Sequence, residues 1–489
     1  MSERVRRGFG EGLSPAMTAG LIVLTAAVGL GLAFWPGVAG TLILVAIGTL
    51  PLLRSPRPLL LAFAVFLLLQ DPLQVLAGGD TPLGLLIKRA DEPLVVAMGL
   101  LCVLFHRDAR RALGPAGLRW SLVACFGGIL LSSIPIEAWF PAAVDITLFS
   151  KPFCLFLIGT TLAVTTESLE TARKWVLPVM LATVVFGVVF LLAPRLQDAY
   201  IGAVRAPDER LGLLSAQGFF IGPGTYSWFA VATFALAYVG YLQRRRRTDL
   251  VAAIVAAAFV VLSWRRKSIL AVLAMVLVTL LVRGTRGSRG RAFALLALAG
   301  IFAVTVFAPY ALALWNSTLT EYGSSDPYGT ARSALYYTSV LIARDHFPLG
   351  TGLASFASHA SKLYYSPVYQ EYGLATMYGL SAHDPEYITD TYWPMVLGEG
   401  GIVCLIGYLA FLGILARVSW KLARSGEDLP GGSTIPMLAL MLLVGSFIES
   451  MASHIYGSSL QASLVMMPLG MMWRVAIDRD SRSRSGEDS

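Results

Sequence analysis

DLVAAIVAAAFVVLSWRRKSILAVLAMVLVTLLV, residues 249–282, consists of two apolar runs joined by a turn that carries three consecutive cations. Neither run shows the strand-length alternation of a membrane barrel, so both read as helices. Together they predict two membrane spans at about 249–263 and 268–282. The same pattern recurs on either side, with long apolar stretches separated by short charged connections. Of the 489 residues 56% are hydrophobic and only 14% charged, where a soluble chain carries about a quarter. Further spans are read at 15–35, 37–53, 58–75, 82–105, 119–135, 142–164, 175–194, 222–242, 292–310, 391–416, 434–451 and 458–476. The expectation is an all-α, polytopic integral membrane bundle of about fourteen transmembrane helices.

Charge sets the expected topology. With the N-terminus inside, the cytoplasmic connections hold Arg54 and Arg57, Arg107 to Arg119, Arg173 and Lys174, Arg244 to Arg247, Arg283 to Arg291, and Arg417 to Arg424. With the two tails, that side collects most of the 38 lysines and arginines, as the positive-inside rule requires. The net charge of +8 is therefore a topology signal, and no nucleic acid is expected. The divisions are a cytoplasmic tail 1–14, a transmembrane region 15–310, an extracytoplasmic loop 311–390, C-terminal transmembrane helices 391–476 and a cytoplasmic tail 477–489. A loop of that length predicts short helices and function inside it.

Nucleotide and metal motifs are absent from the sequence. It has no Walker loop, no G-x-G-x-x-G after a strand, no H-E-x-x-H and no C-x-x-C. Cys102, Cys125, Cys154 and Cys404 fall singly in apolar stretches and read as packing residues. No cofactor and no metal are expected.

The candidate chemistry lies on the outer side. Arg265, Arg266 and Lys267 sit where the positive-inside rule disfavours cations, and a guanidinium fork suits phosphate oxygens. A bound diphosphate and a cluster snorkelling to lipid headgroups both fit them. Arg205 and Arg210, in the shorter outer connection, are candidates for a second anion site or a solvated loop. Twelve of the 18 tyrosines lie between Tyr310 and Tyr392, in the long loop and at its two ends. Of these Tyr364, Tyr365 and Tyr392 are candidate sugar contacts, with an interfacial aromatic belt as the other reading. His346, His359 and His383 lie in the same loop. His383, in Ser381-Ala382-His383-Asp384 just before Asp390 and the helix bearing Glu399, is the candidate general base. Lys88, Arg89, Asp91, Glu92 and Lys151 interrupt spans, either neutralising one another or touching substrate.

FPLGTGLASFASHASKLYYSPVYQEYGL at 347–374 is similar to the loop of bacterial exopolysaccharide polymerases. TDTYWPMVLGEGGIVCLIGYLAFLG at 389–413 resembles the helix that follows it there, and GFFIGPGTYSWF at 218–229 resembles a segment opening a middle span. With the arginine turn, these features resemble the O-antigen ligase and polymerase superfamily over roughly 200–475. The resemblance implies a metal-independent, GT-C-like glycosyltransferase of the bacterial inner membrane. Such an enzyme moves glycan from undecaprenyl diphosphate to an acceptor sugar on the outer face. It implies that Arg265 or Arg266, with Lys267, holds the donor diphosphate and that His383 activates the acceptor hydroxyl. Two positions depart from the family pattern. Its arginine before the 218–224 segment is missing at the usual spacing, which leaves Arg210 as a displaced candidate. Its His-Asn pair is His383-Asp384 here, so both His383 and Asp390 stand as candidates for the base. The expected partners are lipid-linked glycan donor and acceptor, the bilayer, a flippase and a chain-length regulator. A polymerase is the first expectation, a ligase the alternative, and a lipid-linked oligosaccharide flippase the rival of another class.

Overall fold

The computed structural model describes residues 56–79, 81–135, 139–162, 166–201, 208–210, 213–283, 328–425 and 434–485. The spans expected at 15–35, 37–53 and 292–310 lie outside them. The described chain is helical, apart from a two-residue antiparallel pair, β1 (Glu209–Arg210) and β2 (Leu213–Leu214). In order the helices are α1 (Pro56–Leu76), α2 (Pro82–Phe105), α3 (Arg107–Ala112), α4 (Ala116–Ser132), α5 (Trp139–Thr161), α6 (Thr166–Leu192) and α7 (Pro194–Ile201). After the β pair come α8 (Pro223–Arg244), α9 (Arg247–Leu262), α10 (Arg266–Arg283), α11 (Ala331–Asp345), α12 (His359–Tyr364), α13 (Val368–Glu371), α14 (Trp393–Ser425), α15 (Thr434–Ser450) and α16 (Ser459–Ser485). Thus 328–390, read as loop, holds three helices and a 3₁₀ turn at Leu374–Thr376.

Four helices are long and apolar enough to cross a membrane: α5, Arg173–Leu192 within α6, α14, and Ser459–Ser481 within α16. Shorter apolar helices are Phe63–Leu76, α4 and α15. Large apolar side chains such as Val123, Leu130, Ile254, Leu270 and Ile406 point outward and are exposed. A water-facing surface does not carry them in such numbers, and lipid does. By these measures the chain is a helical membrane protein.

Helix pairs with no hydrophobic incentive to associate in lipid close through small residues. Ser121, Cys125 and Gly128 recur at about one-turn spacing along α4 and meet Cys404 and Gly407 on α14, with the thiols of Cys125 and Cys404 3.8 Å apart. A β-carbon on Gly407 would lie 2.7 Å from the Ser121 carbonyl oxygen, so only glycine permits the approach. The helices α5 and α16 pack likewise, as do α8 with α9 and α10 with α15.

The bundle has two polar ends. At one, Arg474 of α16 pairs with Asp108 at 2.9 Å and donates to the Thr161 carbonyl at 3.0 Å, while Arg173 pairs with Asp249. At the other the segment 347–392 folds over the ends of α4, α5, α14, α15 and α16. A break in α14 anchors it there. Gly401 has φ 70° and ψ −170°, which turns the carbonyls of Gly398 and Glu399 out of the helix. The N–H groups of Thr351 and Gly352 donate to them, each at 2.9 Å. Ser132 and Ser133, ending α4, accept from Gly350 and Leu353 at 3.0 and 2.9 Å.

Candidate functional site

The segment next enters the bundle through two acids. Asp145 of α5 accepts the Ala354 N–H at 2.8 Å, and Glu399 of α14 accepts that of Phe356 at 3.0 Å. Ala354 and Ala357 both have positive φ, and the chain then enters α12 through a capping box of Ser358 and Ser361. Tyr369 closes the turn from below, its hydroxyl accepting from Ala357 at 2.8 Å. Glu399, which sequence reading placed at the outer end of the helix that follows His383, is fully buried and holds the loop. It positions the site from beneath.

The cation turn lies at the same end. Trp264, at φ 53°, reverses the chain between α9 and α10. Arg265 pairs with Asp208 at 3.0 Å, and Asp208 also accepts from Ser215 at 2.8 Å. Arg266 begins α10 and is half-buried. Lys267 pairs with Glu449 at 3.1 Å and donates to the Ala452 carbonyl at 2.8 Å, and Ser268 donates to the other Glu449 oxygen at 3.0 Å. Lys267 is thus committed to a buried carboxylate, which fixes the turn against α15.

Residues 451–458, between α15 and α16, form the hub of this end. Their carbonyls accept from Tyr336 at Met451 (2.9 Å), Lys267 at Ala452 (2.8 Å) and Lys151 at Gly457 (2.8 Å). Arg332 lies one turn before Tyr336, within the Thr330–Ser333 capping box that starts α11, and pairs with Asp390 at 2.7 Å. Lys267 feels the charge of both Arg265 and Arg332. The turn and the loop exit, remote in sequence, therefore share one electrostatic neighbourhood.

The remaining predicted residues divide. His383 is exposed, on a segment held by Ser381, which accepts the Asp384 N–H at 3.1 Å, and by Lys362, which donates to the Glu386 carbonyl at 3.2 Å. Tyr364 is exposed and meets Phe140 edge-on at 6.0 Å. Tyr365 stacks on Tyr369 at 5.2 Å and donates to the Leu380 carbonyl at 3.0 Å. Tyr392 is buried, with Tyr408, Tyr456 and His454 around its ring. It supports the hub from below rather than lining the surface. Arg210 belongs to β1, with its side chain outside the described part of the structure, as is Arg205 entirely. Among the described residues no group of three His, Cys, Asp or Glu side chains is arranged to hold a metal.

Sequence reading missed Arg332, Asp208 and Glu449. For Arg332 the capping box Thr330–Ser333 offered a signal, since it places that arginine on the first turn of a helix. Lys151 takes the structural role the sequence allowed, 3.8 Å from Asp91 and 3.6 Å from Glu92.

His359 and His454 respond to this environment. Burial first, then the charges of Lys88, Lys151, Lys362 and Arg89, hold His359 down at about 4. Burial, with His359 and Lys151 nearby, holds His454 at about 4 against a bond to Thr391. Both imidazoles stay neutral in the fold, while unfolded ones take protons below about 6.5. The unfolded chain thus binds more protons between pH 6.5 and 4, and stability falls as pH falls through that window. The thermal midpoint of the detergent-purified protein is expected to drop between pH 7 and 4.5. His359→Gln with His454→Gln should flatten the curve, and a flat wild-type curve would contradict the assignment.

No protein-family model matches the chain, and no curated protein matches it in sequence.

Proposed function

We propose that this chain is a multi-pass glycosyltransferase of the bacterial inner membrane, with about fourteen spans, GT-C-like architecture and both termini cytoplasmic. It polymerises undecaprenyl-diphosphate-linked repeat units into exopolysaccharide or O-antigen on the outer face. The observation that carries this reading is the link at one polar end between the cation turn and the loop exit: Lys267 and Tyr336 hold the adjacent carbonyls of Ala452 and Met451, and Arg332, one turn before Tyr336, pairs with Asp390. Phosphate-binding groups and a proton acceptor are what glycosyl transfer from a lipid diphosphate needs side by side.

In this mechanism Arg265 and Arg266 hold the diphosphate of the donor, with Asp208 fixing the Arg265 fork. The acceptor hydroxyl attacks the anomeric carbon and a new glycosidic C–O bond forms. The C–O bond to the diphosphate breaks, and the lipid diphosphate leaves with the electron pair. His383 takes the hydroxyl proton. Asp390, one oxygen committed to Arg332, holds the neighbouring segment, while Tyr364 and Tyr365 offer aromatic faces and a phenol to sugar rings. A flippase that delivers the units and a chain-length regulator are the partners this role calls for.

Purified protein given lipid-linked repeat units is expected to yield longer glycans together with released lipid diphosphate. Movement of the units across a vesicle membrane without longer product would replace the transferase with a transporter.

A further inference from the structure

The turn that takes the outer segment into the bundle is gripped by two acids and no base. Asp145 Oδ2, near the start of α5, accepts the Ala354 N–H at 2.8 Å, and Glu399 Oε1 of α14 accepts the Phe356 N–H at 3.0 Å. Both acids are buried, 2% and 0% exposed. Their carboxyl groups lie within hydrogen-bonding reach of each other. One turn further along α5, Phe149 packs edge-on against Tyr408 of α14. The two acids are thus a polar clasp on an otherwise aromatic seam.

The cations around this clasp are engaged elsewhere. Lys151, on the same helix as Asp145, is committed to Asp91, Glu92 and the Gly457 carbonyl. Lys362 of α12, which packs on α5, donates to the Glu386 carbonyl. Arg332 and Arg344 of α11, which packs on α14, pair with Asp390 and Asp345. His359 follows Ser358 and stays neutral. The basic residues of α14 itself begin at Arg417, about 27 Å along a helix from Glu399. Among the described residues neither acid forms an ion pair.

A count of hydrogens shows what is missing. The donors that reach the two carboxyl groups are the N–H of Ala354, the N–H of Phe356 and the hydroxyl of Ser358. That hydroxyl faces both acids with a single proton to give. Glu399 Oε2 is buried, and no N–H or O–H of the fold satisfies it. Two carboxylates have no hydrogen to share, and two of them ionised side by side without a cation are heavily penalised in a low-dielectric interior. A proton on one of them turns the contact into a hydrogen bond and halves the buried charge.

We infer that Asp145 and Glu399 hold one proton between them, as a carboxylic acid hydrogen-bonded to a carboxylate, and that this pair positions the outer segment. The bridge ties α5 to α14, and each end of it fixes one N–H of the 354–356 turn. Ala354 has φ 61° there, and no helix or strand holds the backbone. Tyr364, Tyr365 and His383 all lie on the chain beyond. The proton belongs to the fold, whatever group the site transfers, so failure of the transferase reading leaves it standing.

Infrared difference spectra of the detergent-purified protein near neutral pH test the pair. Wild type minus Asp145→Asn and wild type minus Glu399→Gln are each expected to show one carboxylic-acid C=O band that shifts in D₂O. Either amide supplies the bridging hydrogen from its own NH₂, so the remaining acid stays ionised and the band is lost in both variants. For the same reason both should melt close to wild type. Asp145→Ala removes the acceptor, and hydrogen exchange at the Ala354 amide should rise roughly tenfold, as for one lost hydrogen bond, with Asp145→Asn restoring protection. Difference spectra without the band would show both groups ionised and overturn the shared proton. A band lost in one variant and kept in the other would give the proton to a single acid and overturn the sharing. Unchanged exchange at Ala354 in Asp145→Ala would remove the positioning role. Should one amide variant fail to fold, the spectrum of the other carries the measurement alone.

Discussion

Arg265→Ala is expected to lower glycan transfer by roughly 10²–10³-fold, the loss usual when one preorganised donor to a developing anion is removed. With Arg266→Ala added, transfer should become undetectable. The reason lies in the leaving group. In the proposed transfer, charge grows on the diphosphate as the anomeric C–O bond lengthens, and a guanidinium already oriented by Asp208 at 3.0 Å would meet that charge without reorganising. Arg265→Lys should restore activity only in part, because a point charge does not reproduce the fork. Lys267→Ala differs in kind. It strips the partner from buried Glu449, so its main readout is a lower thermal midpoint rather than a lower rate constant. Steady-state transfer beside a melting curve separates the two effects. Full activity in the Arg265/Arg266 double variant would reduce the turn to a lipid anchor.

Hydropathy placed this turn closely. It predicted spans at 249–263 and 268–282, and the helices run Arg247–Leu262 and Arg266–Arg283. Long apolar runs end where cations begin, so helix ends are legible in a membrane protein. What each end meets is not. A helix apolar all round has no face that sequence periodicity can mark as inward. The sequence therefore gives no hint that Lys267 meets Glu449, that Arg332 meets Asp390, or that Tyr392 is buried. The KRADE segment at 88–92 shows the same limit. The sequence presents five charged or small residues in a row, and helix geometry sorts them, turning Asp91 inward to Gln70 and Lys151 and leaving Lys88 and Arg89 exposed. Glu399 was noticed because it is a carboxylate at a helix end. Its actual work, receiving the Phe356 N–H beside a break at Gly401, depends on a kink no propensity announces.

The base is the step where one experiment decides most. His383→Ala is expected to reduce transfer by roughly 10²–10⁴-fold, the range of lost general-base catalysis, with donor binding nearly unchanged because the proposed mechanism gives the diphosphate to the cations. The imidazole is exposed at the tip of a segment pinned on both sides. In the proposed mechanism this exposure lets a hydroxyl reach the ring without passing through the bundle. Asp390→Asn tests the other carboxylate. Its oxygen lies 2.7 Å from Arg332, so the amide weakens an ion pair that positions the loop exit. A moderate loss is expected, and Arg332→Ala should produce the same loss with little added in the double variant, since the two act as one unit. If Asp390→Asn abolishes transfer while His383→Ala stays active, the proton goes to the carboxylate and His383 is a sugar contact.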